Sequence, residues 1–271
     1  MVRQAQRASD TCKCQSHVRL HDDGRVMPTF TLQSLSSSPL ETAYRRPTSL
    51  PVIGLAPHSR KPALGRKGSS TSIIRDPGDE QVRIVESNIE KNLTLVLMAD
   101  PDVVRVTTQP EPLYFVDEAG KRFKHTFDVE AELRSGERKL VEVKPSNRVA
   151  KYGWKDWIDQ ISPQVPRSRA DSVLLVTELD LPMWLVKNAS LILSARTDAP
   201  RSVERDIEDY ALSVGGALTI RQLTTPWGGP GAVMRAAVRL IYQRRLRLIR
   251  PALIDASALV LHNSSVASGV V

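Results

Sequence analysis

Phe127-Asp128-Val129 and, beyond a turn at Ser135-Gly136, Leu140-Val141-Glu142-Val143-Lys144 form the stretch on which the reading of this chain depends. Polar residues alternate with apolar ones in both halves, the period of a strand, and the glycine between them marks a hairpin. Strands are expected over Lys124 to Leu133 and Lys139 to Lys144. Alternate residues of a strand share a face, so Glu142 and Lys144 point one way while Val141 and Val143 point the other. Asp128 supplies a second carboxylate from the adjacent strand. Two such carboxylates suit a hard divalent cation, Mg²⁺ or alternatively Mn²⁺, which stabilises charge developing on phosphate oxygens. A lysine two residues from one ligand can hold the attacking water or balance charge at phosphorus. The competing reading is a surface ion-pair ladder of Glu142 and Lys144, worth little energy. A second Glu-x-Lys, Glu137-Arg138-Lys139, has no apolar middle residue and abuts Gly136, so it reads as an exposed hairpin end.

Working outward, Val85, Ile89, Leu93 and Val96-Leu97 recur at helical spacing and predict a helix from Val82 to Ala99. Asp79 is its expected cap, and Asp100-Pro101 its stop. Glu86 and Glu90 stand four apart on that helix and share a face. Strands are expected at Val103 to Thr107 and Leu113 to Val116, the latter ending in Asp117-Glu118-Ala119-Gly120. Trp154, Trp157, Ile158 and Ile161 lie on one face of a helix. The all-apolar run in Ser172 to Thr177 predicts a buried strand. This order describes an α/β fold, a mixed sheet covered by helices. Beyond residue 180, Leu218-Thr219-Ile220, a short helix with Leu223, the Pro226 to Gly231 break and a helix over Met234 to Leu246 follow the winged-helix order. An ordinary helical packing domain is the alternative.

The length of 271 residues allows one or two domains. Prolines without period, the Ser34 to Pro39 stretch and paired basic residues make 1–79 a flexible basic arm. Residues 80–179 then form the sheet domain and 180–271 the C-terminal one. Two cysteines, Cys12 and Cys14, exclude a disulfide scaffold and favour a reducing compartment. No apolar run approaches a membrane span and the first residues carry no signal core, so a cytoplasmic location away from membranes is expected. Charge is unevenly placed. Residues 1–70 hold 11 Lys/Arg against 4 Asp/Glu, 71–234 hold 21 against 25, and 235–250 hold six arginines and no acid. An acidic centre that meets phosphates needs metal ions to neutralise it, and the basic flanks could hold the backbone; a solvated charge distribution with no partner fits the composition equally.

Ile89-Glu90, Leu93, Leu95, Leu97, Asp100-Pro101-Asp102-Val103-Val104, Gln109-Pro110, Asp128 and Glu142-Val143-Lys144 together resemble the TnsA endonuclease subunit of heteromeric cut-and-paste DNA transposases. The likeness covers roughly residues 82–178. It implies the restriction-endonuclease-like PD-(D/E)xK fold, with a small helical, winged-helix-like C-terminal domain. By this resemblance Glu90 is the helix acid, Asp128 the central metal ligand, Glu142 the second strand ligand and Lys144 the catalytic lysine. Glu86 becomes a neighbour, although the residues alone leave Glu86 and Glu90 both open. Phe127 stands where the wider superfamily often has proline. The resemblance further implies cleavage of one strand, the 5′ end, at each transposon end. An RNase H-type transposase would cut and join the other strand, and an ATP-using regulator would bind the C-terminal region.

Arg235, Arg239, Arg244, Arg245, Arg247 and Arg250 are the expected contacts to the DNA backbone; Lys151 and Lys155, close behind the active-site strand, either join them or form a solvated face. If the six arginines all met phosphates, log K would fall with log salt with a slope near −5, about 0.9 per contact. Cys12, Cys14, His17 and His21 have zinc-ligand chemistry without the usual spacing. His125 lies three residues before Asp128, near enough to approach substrate, or to be a hydrogen-bonded strand residue. Trp154 and Trp157 read as packing residues more than as base-stacking platforms. Two rival functions stay open: a non-catalytic DNA-binding or assembly protein, and a restriction or repair nuclease that acts alone.

Overall fold

The computed structural model describes residues 54–55, 70–77, 81–197, 202–224 and 229–263. The Cys12, Cys14, His17 and His21 set, most of the basic arm, Asp79 and the Pro226 to Gly228 part of the expected break lie outside the described residues. The fold is mixed α/β. A strand pair, β2 (Ser72–Arg75) and β3 (Gln81–Val85), runs antiparallel, with β1 (Gly54–Leu55) parallel to β3. Helix α1 (Asn88–Met98) follows, and then the central strands β4 (Val103–Thr108), β7 (Val129–Leu133), β8 (Arg138–Val143) and β9 (Ser172–Val176).

Two expectations need correcting here. The predicted helix over Val82 to Ala99 starts six residues later than expected, at Asn88. Val82, Ile84 and Val85 are β-branched, lose rotamer freedom in a helix and fit a pleated surface better. Ser87 caps α1, its hydroxyl accepting the Glu90 N–H at 3.1 Å. The flexible arm, expected to reach residue 79, instead contains the ordered strand β2, with Ile74 buried.

The four central strands are ordered β4-β7-β8-β9. β4 and β8 both run antiparallel to β7, whereas β9 lies parallel to β8, with Val141 opposite Leu174. A parallel neighbour demands a crossover, which α2 (Ser146–Lys151) and α3 (Trp154–Ile161) supply. The turn joining β7 to β8 places Gly136 at φ 87°, a backbone setting natural to glycine. The expected strand from Lys124 to Leu133 is divided. β6 (Arg122–His125) pairs with β5 (Leu113–Val116) as a separate hairpin, and the chain turns at Thr126 to Asp128 before β7 begins.

Alternation along β7 and β8 sorts the core onto two faces. Val129, Ala131, Val141 and Val143 face a large apolar cluster with Leu93 and Leu97 of α1. Leu140 faces the other way, into a smaller cluster with Phe115, Phe127, Ile158, Ile161 and Val173, covered by α3. The large cluster continues through α4 (Met183–Arg196), α5 (Ser202–Val214) and α6 (Pro230–Tyr242), where Ile192, Ile207 and Leu240 are buried. Sequence periodicity assigned no element to α4 and α5. A three-stranded antiparallel sheet, β10 (Leu218–Thr219), β12 (Leu259–His262) and β11 (Leu246–Leu248), flanks α6 in that order. Among the described residues no helix is long and apolar enough to cross a membrane.

The turn after α1 is tied to the segment that follows α6. Asp100 Oδ1 accepts the Asp102 N–H at 2.9 Å, and Arg244 pairs with Asp102 and approaches Asp100 at 4.0 Å. Burial pushes the Asp100 carboxyl up to about 6, against the pull of the Asp102 N–H and Arg244. A raised carboxyl contributes stability below its ordinary value of 3.8 that is lost as pH rises through about 6. Asp100→Asn, which retains the oxygen acceptor, should therefore flatten the fall in melting temperature across that window. A slope equal to that of the native chain in a pH series of thermal melts would refute this.

Candidate active site

Three side chains meet where β7 begins and β8 ends. Asp128 is held by its backbone on both sides. Its N–H donates to the Val141 carbonyl at 3.1 Å, and its carbonyl accepts the Gln109 N–H at 2.8 Å. Gln109 is buried and left-handed, with φ 50°, a conformation that disfavours residues bearing a Cβ. The Gln109-Pro110 turn thus fixes the segment that carries Asp128. The Asp128 carboxylate then folds across the strand end, Oδ2 accepting the Val143 N–H at 2.8 Å.

Glu142 is 1% exposed, an unusual place for a carboxylate in the middle of a sheet. Its two oxygens have different partners: Oε2 meets His125 Nε2 at 2.8 Å, and Oε1 accepts from Lys144 Nζ. Lys144 follows directly on β8, and its N–H donates to the Val176 carbonyl of β9 at 3.0 Å. Besides Glu142, its ammonium reaches Asp128 Oδ2 at 3.4 Å and the Val143 carbonyl at 3.0 Å. Its other side rests on the Trp154 ring, 4.4 Å from the centroid. The expected shared face of Glu142 and Lys144 is present, and Asp128 joins them. The surface ladder considered from sequence is excluded by the burial of Glu142.

Glu90 is buried in the first turn of α1, and its Oε2 accepts the Glu86 N–H at 3.0 Å. Glu86 precedes the helix, in the bend after β3, so the expected i, i+4 helical pair of Glu86 and Glu90 does not form. The charge of Glu90 reaches Asp128. Burial first, then the neighbouring Glu142 and, more weakly, Glu90 push the Asp128 carboxyl up to about 7, while Lys144 and the Val143 N–H act against them. For Lys144, burial presses the ammonium downward, yet the carboxylates of Asp128 and Glu142 outweigh it and the net shift is upward.

Among the described residues, no group of three or more His, Cys, Asp and Glu side chains is gathered closely enough to hold a metal ion. The donor chemistry nevertheless fits a hard cation. A positive group, the Lys144 ammonium, already sits among three oxygens, from Asp128, Glu142 and Val143. Glu90 adds a third carboxylate whose charge, after burial and Glu142, also raises Asp128.

The basic residues fall into two groups. Lys151, Lys155, Arg235 and Arg250 are exposed and Arg247 is half-buried. Arg239 must be withdrawn from the expected DNA contacts: it is 6% exposed, its Nε bonds Glu204, and its Nη1 approaches the Ala195 carbonyl at 3.4 Å. Arg244 is engaged with Asp102 and Arg245 with Glu208. These two lie beyond α6, which ends at Tyr242, so the predicted helix to Leu246 is four residues too long.

From the sequence, His125 stays open between a substrate contact and a hydrogen-bonded strand residue, and Trp154 reads as a packing residue. His125 lies at the end of β6, and only the closing of that hairpin against β8 brings it to Glu142. No protein-family model matches the chain, and the search of curated proteins finds no similar one.

Proposed function

We propose that this protein is a divalent-metal-dependent DNA endonuclease, the subunit of a heteromeric cut-and-paste transposase that cuts one strand at each transposon end. One observation carries the reading: the Asp128 and Glu142 carboxylates converge on the Lys144 ammonium at the ends of adjacent strands, with the charge of Glu90 acting on Asp128. The sheet order β4-β7-β8-β9, with helices on both faces, supports a restriction-endonuclease-like domain. The succession α5, β10, α6, β11, β12 and the sheet order β10-β12-β11 support a winged-helix-like C-terminal domain.

Asp128 and Glu142 would hold Mg²⁺ or Mn²⁺, with Glu90 completing the acidic wall. The cation, when bound, supplies Lewis-acid stabilisation of the charge that develops on phosphate oxygens. The Lys144 ammonium, braced on Trp154, would donate hydrogen bonds that orient the attacking water or offset the charge on the phosphorane oxygens. The Val143 N–H keeps Asp128 turned towards Lys144. DNA ends, an RNase H-type transposase and an ATP-using regulator are the partners this reading assigns, in the cytoplasm.

The deciding experiment is Lys144→Ala, assayed for cleavage together with the protein products of the flanking reading frames and, separately, for Mn²⁺ binding by calorimetry. Strand cleavage should be lost while Mn²⁺ binds as well as before or more tightly, because the ammonium no longer competes for the carboxylates. Undiminished cleavage would sink the assignment. That no close three-ligand group stands among the described residues gives a second reading its footing, a DNA-binding scaffold on a retired nuclease fold. That reading predicts no Mn²⁺ binding at all. Cleavage by the chain without partners would instead favour a stand-alone restriction or repair nuclease.

The DNA surface is assigned to the exposed Lys151 and Lys155 beside the site, with Arg235 and Arg247. Replacing Lys151 and Lys155 together by Ala should lower the slope of log K against log salt by about 2, roughly one per phosphate contact. An unchanged slope would remove these two lysines from the interface.

A further inference from the structure

We infer that His125 is a positioning residue for the acidic centre: it fixes the Glu142 carboxylate so that one oxygen is committed to the imidazole and the other faces the position now held by the Lys144 ammonium. The inference rests on the endonuclease reading of the site and adds a residue to it. His125 Nε2 lies 2.8 Å from Glu142 Oε2, within hydrogen-bond range, while Glu142 Oε1 is the oxygen that takes the Lys144 ammonium. A carboxylate oxygen accepts hydrogen bonds, so an N–H at Nε2 is the ring's matching donor.

The imidazole is itself held in place. It meets the Phe127 ring edge-on at 5.0 Å between centroids and the Trp157 ring at 4.7 Å, both close to perpendicular. Trp157 in turn stacks edgewise on Trp154, the ring beneath Lys144. One aromatic row therefore braces both partners of Glu142, the imidazole at one end and the ammonium at the other. A buried carboxylate with a free rotor would have several orientations in which to meet a cation. One oxygen clamped by a rigid donor leaves a single orientation and removes the cost of ordering it at the moment of binding.

The test uses the full chain and Mn²⁺ alone, followed by calorimetry, with thermal melts of the metal-free variants to establish folding. His125→Ala is expected to weaken Mn²⁺ binding by roughly 10- to 100-fold, the usual effect of losing a group that orients a metal ligand. His125→Gln can present an amide N–H close to the position of Nε2, and it should restore most of that affinity. Equal weakening in both variants would show that the imidazole only packs, and an unchanged affinity in His125→Ala would show that it does nothing for Glu142. Either result overturns the inference while the endonuclease reading stands. Failure of the native chain to bind Mn²⁺, with Asp128→Ala as the control, would overturn the reading itself and this inference with it.

Discussion

Asp128→Asn is expected to gain stability and to lose activity in the same molecule. The native carboxyl is raised to about 7, because burial and the charges of Glu142 and Glu90 outweigh Lys144 and the Val143 N–H. A group raised on folding contributes stability below its ordinary value of 3.8 and loses it as pH rises through about 7, so above that point the ionised form opposes folding. Asparagine keeps an oxygen for the Val143 N–H and removes the charge, and Lys144 retains Glu142 and the Val143 carbonyl. At about pH 8 the metal-free variant should be more stable by roughly 1–3 kcal/mol, an interval discounted because the Asp128 side chain is 18% exposed. Cleavage should fall by about a thousandfold or more, the equivalent of the several kcal/mol that a bound cation supplies. Urea unfolding and a strand-cleavage assay check the two halves. A functional centre pays for its charge crowding in stability, so a variant that lost both would mean Asp128 is structural.

The second large effect is predicted far from the site. Arg239→Ala should cost about 3–5 kcal/mol, a large share of the roughly 5–15 kcal/mol by which domains are stable. Arg239 and Glu204 are both buried, with side chains 7% and 9% exposed, and removing the guanidinium leaves the carboxylate in an apolar setting between α5 and α6. Replacing both at once, by Glu204→Gln with Arg239→Met, should recover much of the loss, since no uncompensated charge stays behind. Arg235→Ala, on the exposed side of the same helix, should change stability by no more than about 0.5 kcal/mol. Denaturant midpoints of the four chains decide the matter. If Arg239→Ala proved as mild as Arg235→Ala, the pair would not be a structural element.

Much of the central layer was legible because its signals are local. The period of two in Leu140 to Lys144, the Ser135-Gly136 turn and the apolar run of Ser172 to Val176 each depend on a few neighbouring residues, and all became the elements they announced. The start of α1 was not legible. Val85, Ile89 and Leu93 fit a helical repeat, yet Val82, Ile84 and Val85 also fit a strand, and pairing with β2 decided between them. Helix α4 gave no signal, since its apolar residues are spread around it, as befits a helix packed on several sides.

The candidate centre shows the same division more sharply. Sequence alone determined that Glu142 and Lys144 share a side of one strand, because the pleat repeats every two residues regardless of surroundings; it put Asp128 within the paired strand, whereas that strand begins only at Val129. It could not determine which of six arginines face solvent. Arg235 and Arg239 stand one helical turn apart and look alike in the chain, but Arg239 is buried against Glu204, 35 residues earlier, while Arg235 is exposed. Nor could it bring His125 to Glu142, which needs the β5–β6 hairpin to close against β8, or set Lys144 on Trp154 across the crossover. Periodicity is written into the backbone and is read residue by residue. Burial and pairing belong to segments distant in the chain, and only the packed structure decides them.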